Sequence, residues 1–183
     1  MKPDDQEYEG FVVARYRRLV RAAVLFGCSR QDAEDAAQDT LIRCYTAWSH
    51  VRSADDPDAY VYRILVNGIT RGRRRKWRGE LPYQRVPEPD PADDVATGVS
   101  VGHTVREALA RLGREQRQVL VLRYFVDLTE SQIADVLGIA QGTVKSRAAR
   151  AIAALSNDLS LSDLLAMPAE PAGQEPTTHE EDR

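Results

Sequence analysis

Between positions 59 and 79 the chain carries no carboxylate, yet it holds Arg63, Arg71, Arg73, Arg74, Arg75, Lys76 and Arg78. Cations gathered without acids suit the neutralisation of phosphates on a polyanion, a contact that releases counterions and depends on salt. A second basic set, Lys145, Arg147 and Arg150, is interleaved with Gln141, Thr143 and Ser146. On one helix, residues of these types reach base edges as well as phosphates. A third set has the opposite sign. Asp32, Asp35 and Asp39, with Gln38 among them, recur at helical spacing and share a face. Such a face suits a basic protein partner, with electrostatics setting encounter rate and register. None of the three sets pairs a nucleophile with a base. His50, His103 and His179 are scattered and form no metal motif with Cys28 and Cys44. There is no Walker loop, nucleotide-binding glycine fingerprint or nucleophile elbow. The expectation is a binding protein that is not an enzyme and uses neither metal nor cofactor.

The elements that present these sets follow from local patterns. Thr129 and Gln132 form a capping-box pair that starts a helix. Ile133, Val136 and Leu137 give it an apolar stripe, and Ala134 is small where a second helix must come close. Gly138 suits a left-handed stop, and Ile139 and Val144 plug the corner. A second helix then runs from about 140 to 155, with Val144, Ala148, Ala151 or Ile152, and Leu155 on its inner face. Its outer face carries most of the second basic set. This is the pattern of a helix-turn-helix, which sets its second helix into a DNA major groove. An ordinary amphipathic hairpin with solvated charges is the alternative.

Upstream, helical spacing covers 8–26 through Phe11, Leu19, Ala22 and Phe26, leaving Arg15, Arg17, Arg18 and Arg21 outside. Ser29 caps a second helix over 30–48, striped by Ala33, Ala37, Leu41, Cys44 and Trp48. Both cysteines lie on apolar stripes and read as core residues. A polar connection spans 49–56, and Pro57 favours the first position of a third helix. Tyr60, Ile64, Asn67 and Arg71 share one face of it. The prolines and acids of 80–100 suggest an extended, mobile tether. The expected architecture is all-α: two small helical domains, 8–79 and 101–157, joined by a flexible acidic linker, 80–100. The second is a helix-turn-helix (winged-helix-like) domain with four helices, and 158–183 is a flexible tail. The net charge of −3 hides this division, because acidic spacers cancel a basic module. The polar, acidic N-terminus is not a secretory signal and no apolar run is long enough to span a bilayer, so a cytoplasmic protein without membrane insertion is expected.

Taken in order, three segments resemble one family. DAEDAAQDTLIRCYTAW (32–48) resembles the core-polymerase-binding helix of bacterial sigma-70-type sigma factors of the extracytoplasmic-function subfamily. YVYRILVNGITRGRRRKWR (60–78) resembles their −10-recognition and melting helix. The stretch from Arg114 to Leu155 resembles their −35-binding domain. The chain departs from the family pattern at Tyr60 (often Trp), Arg71 (often Asp), Gly113 (often Pro) and Ala140 (often a polar cap).

The resemblance implies a dissociable specificity subunit of RNA polymerase. It implies that Asp32, Asp35, Gln38 and Asp39 meet the polymerase β′ clamp helices, with the β flap as a further contact. It implies that Arg63, Asn67, Arg71, Arg74, Arg75, Lys76 and Trp77 serve the −10 element, where Trp77 or Tyr60 could stack on an unpaired base. The connection 49–56 would hold a flipped base, with His50, Arg52 and Ser53 as polar readers. Gln141, Thr143, Lys145, Ser146, Arg147 and Arg150 would serve the −35 element, with Lys145 and Arg147 as the leading contacts. An anti-sigma factor is a partner that this family commonly has. A stand-alone helix-turn-helix regulator, binding DNA as a dimer, is the alternative reading; it leaves the acidic helix and the arginine run unexplained.

Overall fold

The computed structural model of the protein describes residues 5–79 and 98–156. The first module comprises α1 (Asp5–Leu25), α2 (Arg30–Thr46), α3 (Trp48–Arg52) and α4 (Pro57–Gly79). The second comprises α5 (Gly98–Arg111), α6 (Arg114–Tyr124), α7 (Glu130–Leu137) and α8 (Gln141–Ser156). The architecture is all-helical in two domains. Among the described residues there is no strand, so the helix-turn-helix stands without a wing. Of the tether expected over 80–100, residues 98–100 belong to α5 and the rest lie outside the described residues, as does the tail expected over 158–183.

Local chemistry accounts for the helix starts. The Ser29 hydroxyl oxygen accepts from the Asp32 backbone N–H at 3.1 Å and caps α2. Asp56 does the same for α4, accepting from the Ala59 N–H at 2.9 Å, with Pro57 at the first helical position, where its missing N–H costs nothing. The stripe Ala33, Ala37, Leu41 and Cys44 is buried against α1 and α4. Trp48 continues the packing, with its ring 4.9 Å from that of Phe11 in an edge-to-face arrangement.

Helix α1 begins at Asp5, three residues before the stretch expected over 8–26, and two further boundaries differ from the sequence reading. Helix α2 stops at Thr46, because Ala47 (φ −111°, ψ 27°) breaks the helical path. The polar connection expected over 49–56 falls largely in α3, a short helix that buries both Trp48 and Val51. These two apolar residues lie three apart, so a single helical turn directs both into the core.

The helix-turn-helix forms as expected. Thr129 and Gln132 make a reciprocal capping box, and Gly138 takes the left-handed conformation (φ 65°, ψ 41°) that ends α7. Ile133, Ala134 and Val136 of α7 and Val144, Ala148 and Ala151 of α8 are buried.

The two modules are not separate bodies. One continuous apolar cluster runs through both, from Phe11 and Leu65 to Val119 and Ile133. Helix α7 lies against α4, and α6 also touches α1. Hydrogen bonds between described residues cross the seam: the Gln132 amide donates to the Asp56 carboxylate, and the Arg114 guanidinium donates to the Thr70 hydroxyl. Asp56 and Gln132 each also cap their own helix, so the starts of α4 and α7 are joined.

Candidate nucleic-acid interfaces

On α2 the structure brings Asp32, Asp35, Gln38 and Asp39 together on one exposed face. Asp32 has a local duty, accepting from the Ser29 hydroxyl at 2.9 Å. Asp35, Gln38 and Asp39 make no side-chain hydrogen bond or ion pair among the described residues. One turn further on, Ile42 is 61% exposed and Tyr45 is 40% exposed, so the acidic face runs into an apolar patch. The sequence reading did not single out Ile42. Its signal is that it falls off the stripe made by Ala37, Leu41 and Cys44.

Helix α4 buries Val61, Leu65 and Ile69 and turns Arg63, Asn67 and Arg71 outward. Between this face and the end of α2 lies a concave pocket of about 250 Å³, lined by Arg43, Ala47, Tyr60, Arg63, Ile64, Asn67 and Arg71. The pocket confirms the expected sharing of one face by Tyr60, Ile64, Asn67 and Arg71. The Arg63 guanidinium sits 5.3 Å from the centre of the Tyr60 ring. That cation–π contact occupies a face that a base would otherwise use. The backbone at Arg74, Arg75, Lys76 and Trp77 continues α4, while their side chains lie outside the described residues. In the α3 region His50 and Ser53 are exposed, and Arg52 pairs with Glu7 of α1 at 3.2 Å.

On α8, Gln141, Lys145, Ser146 and Arg150 are exposed and Thr143 is half-buried. The Arg150 Nε donates to the Ser146 carbonyl at 3.1 Å, which lays its side chain along the helix. Lys145 and Arg147, the two expected leading contacts, have different surroundings. The Lys145 side chain is 67% exposed and 3.6 Å from Glu130, a loose pair. The Arg147 side chain is 19% exposed and makes a 2.8 Å ion pair with Glu115 of α6. Two other cations of the module are also engaged: Arg117 donates to the Ala110 carbonyl at 2.7 Å, closing the end of α5, and Arg123 pairs with Glu130 at 2.9 Å.

The pKa shifts belong to the core and not to these faces. Burial, then the neighbouring Cys44 and Tyr45, pushes the Tyr8 phenol up to about 12, and its hydroxyl donates to the Leu41 carbonyl at 2.6 Å. Burial pushes the Cys44 thiol up to about 11, against a smaller opposing effect of Arg15. Among the described residues no group of histidines, cysteines and carboxylates could hold a metal ion. No described helix is long and apolar enough to cross a membrane.

Comparison with known proteins covers both modules. Residues 11–79 match the family model "Sigma-70 region 2", and residues 103–155 match "Sigma-70, region 4". The chain is 33% identical over 158 residues to the RNA polymerase sigma-E factor of Streptomyces coelicolor, covering 86% of this chain and 89% of that protein. It is 37% identical over 145 residues to the ECF RNA polymerase sigma factor SigM of Mycobacterium tuberculosis, covering 77% and 71%. Among solved structures it resembles the sigma factor RpoE in complex with the anti-sigma factor NepR from Bartonella quintana. That match has a TM-score of 0.68 at 21% identity, over 86% of this chain and 98% of that one.

Proposed function

This chain belongs to the extracytoplasmic-function group of the sigma-70 family and directs promoter-specific transcription initiation through its regions 2 and 4; from that premise we propose which of its surfaces does what. As a sigma factor it is a non-enzymatic subunit that binds RNA polymerase and DNA. The exposed face Asp32, Asp35, Gln38 and Asp39 docks on the β′ clamp helices, with Asp35, Gln38 and Asp39 contributing most because no partner in the described chain competes for them. The second module rests on the β flap. Helix α4 follows the −10 element with Arg63, Asn67 and Arg71, and with Arg74, Arg75, Lys76 and Trp77 further along. Helix α8 enters the major groove at the −35 element through Gln141, Thr143, Lys145, Ser146 and Arg150, while Arg147, tethered to Glu115, meets phosphate at the rim. An anti-sigma factor is a further partner, as it is for the RpoE of Bartonella quintana. The protein works in the cytoplasm with the polymerase.

The observation that carries this assignment is the sorting of charge by face. Asp35 and Asp39, without partners among the described residues, share a face of α2, and a cationic pocket without carboxylates lies beside α4. Electrostatic complementarity of this kind steers each face to one partner and away from the other. The experiment is run-off transcription with purified core polymerase, comparing the wild type with Asp35→Lys/Asp39→Lys. The wild type yields a discrete transcript. The double variant requires at least tenfold more protein for half-maximal output, while the chain keeps its helical content. Equal core affinity of variant and wild type removes the α2 face from the assignment.

A further inference from the structure

The α2–α4 pocket contains a residue that neither the charge pattern nor the family resemblance brought forward. Arg43, on the last turn of α2, lines it together with Arg63 and Arg71 of α4. None of these three guanidiniums has an ion-pair partner among the described residues, and no carboxylate lines the pocket. Elsewhere the arginines of the first module do find acids: Arg15 pairs with Asp58, Arg30 with Glu34 and Arg52 with Glu7. The end of α2 favours one cation through the helix dipole, which by itself would explain Arg43. It does not explain Arg63 and Arg71, which stand within α4 and converge on the same hollow. Three like charges around one concavity repel each other, and a bound anion relieves that repulsion. Arg63 covers the Tyr60 ring, so the pocket as built offers guanidinium N–H donors more readily than a stacking surface.

We propose that Arg43 joins Arg63 and Arg71 in binding a backbone phosphate of promoter DNA beside the −10 element. The inference rests on the function assigned above and extends its DNA surface from α4 onto α2. Arginine suits the task because its planar fork offers paired donors to phosphate oxygens.

The test measures holoenzyme binding to a fork-junction promoter across a salt series, for wild type, Arg43→Ala and Arg43→Lys. Arg43 is exposed, so neither substitution removes core packing, and circular dichroism checks this. The expected result for Arg43→Ala is an affinity about tenfold lower near physiological salt. Its slope of log K against log salt becomes shallower by about 0.7 if the strand is unpaired there, or about 0.9 if it is duplex. Arg43→Lys keeps the wild-type slope, because it keeps the charge. An unchanged slope and affinity for Arg43→Ala overturns the proposal. So does a fall in core-polymerase affinity as large as the fall in DNA affinity, which would make Arg43 a polymerase contact. Inorganic phosphate at constant ionic strength supplies a second arm: competition with promoter DNA seen for wild type and weakened in Arg43→Ala is the expected result, and competition of equal strength in both overturns the proposal. Run-off transcription by wild-type holoenzyme, measured alongside, keeps failure of this proposal separate from failure of the broader assignment.

Discussion

At the scale of single residues, the two cations with the same sequence credentials have different jobs. Lys145 and Arg147 are two apart on α8, so they lie on different sides of the helix. Lys145 projects to solvent, and Arg147 turns back to Glu115 of α6. Lys145→Ala therefore lowers occupancy of a −35-dependent promoter about tenfold and leaves thermal stability unchanged, measured by footprinting and calorimetry on the same protein. Arg147→Ala costs up to about 1 kcal/mol of stability, as for a partly exposed ion pair, and lowers the melting midpoint by a few degrees. An equal promoter defect in both variants with no change in midpoint would return Arg147 to the groove. The residue types were readable from the sequence, whereas Glu115 as the partner of Arg147 was not, because the pairing depends on how α8 crosses α6.

Cys44 is a residue-scale case with a pH signature. Burial holds its thiol neutral, with a folded pKa of about 11 against an ordinary value of 9.0. An unfolded chain ionises this thiol near the ordinary value, so above pH 9 the unfolded state sheds a proton that the folded state keeps. The associated stability is complete below pH 9 and is lost as pH rises towards 11, by on the order of 2–3 kcal/mol. Urea unfolding at pH 8 and pH 10.5 measures it, and Cys44→Ala removes this part of the pH dependence. Native protein at pH 8 also leaves Cys44 unlabelled by thiol reagents. The apolar stripe of α2 already marked Cys44 as a core residue, and the structure adds the size of its burial.

At the scale of elements, the helix-turn-helix was the most readable part, because its caps are local chemistry. Thr129, Gln132 and Gly138 specify a start and a stop without reference to anything distant. Gly138→Ala tests this cleanly. A Cβ there meets no atom within 4 Å, so the whole cost is the left-handed backbone, about 1–2 kcal/mol in chemical denaturation. A larger loss would mean that the turn had moved. Helix α3 was not readable in the same way. It is a single turn held by the burial of Trp48 and Val51, and its surrounding residues, Ser49, His50, Arg52 and Ser53, are those of a loop. Tertiary packing decides such a segment, and local propensity does not.

At the scale of the whole molecule, the sequence suggested two domains on a tether, and the structure gives two domains sharing a core. Nothing in the spacing of the buried residues of α4 and α7 tells which helix will cover them, so the seam between the two was out of reach of periodicity. The seam has a clean probe in Arg114, whose bond to Thr70 crosses it while capping nothing. Arg114→Ala weakens the contact without harming either helix start. Amide exchange of the free protein is then expected to speed up along both α4 and α7, whereas exchange in α7 alone would indicate local fraying.

The joined starts of α4 and α7 have a consequence for affinity. Elements named −10 and −35 lie 25 positions apart, about 85 Å along B-form DNA, while α4 and α7 lie side by side in one apolar cluster. With α4 on the −10 element and α8 on the −35 element, as proposed above, both elements cannot be held at once until the seam parts. The apparent affinity for a full promoter is then the intrinsic affinity multiplied by the fraction of chains already parted. Each 1.4 kcal/mol held in the Asp56–Gln132 and Arg114–Thr70 seam lowers that product tenfold. Arg114, to which no DNA contact is assigned, thereby becomes a tuning point for promoter strength: Arg114→Ala loosens the seam, raises apparent affinity at two-element promoters and leaves binding to an isolated −35 duplex unchanged.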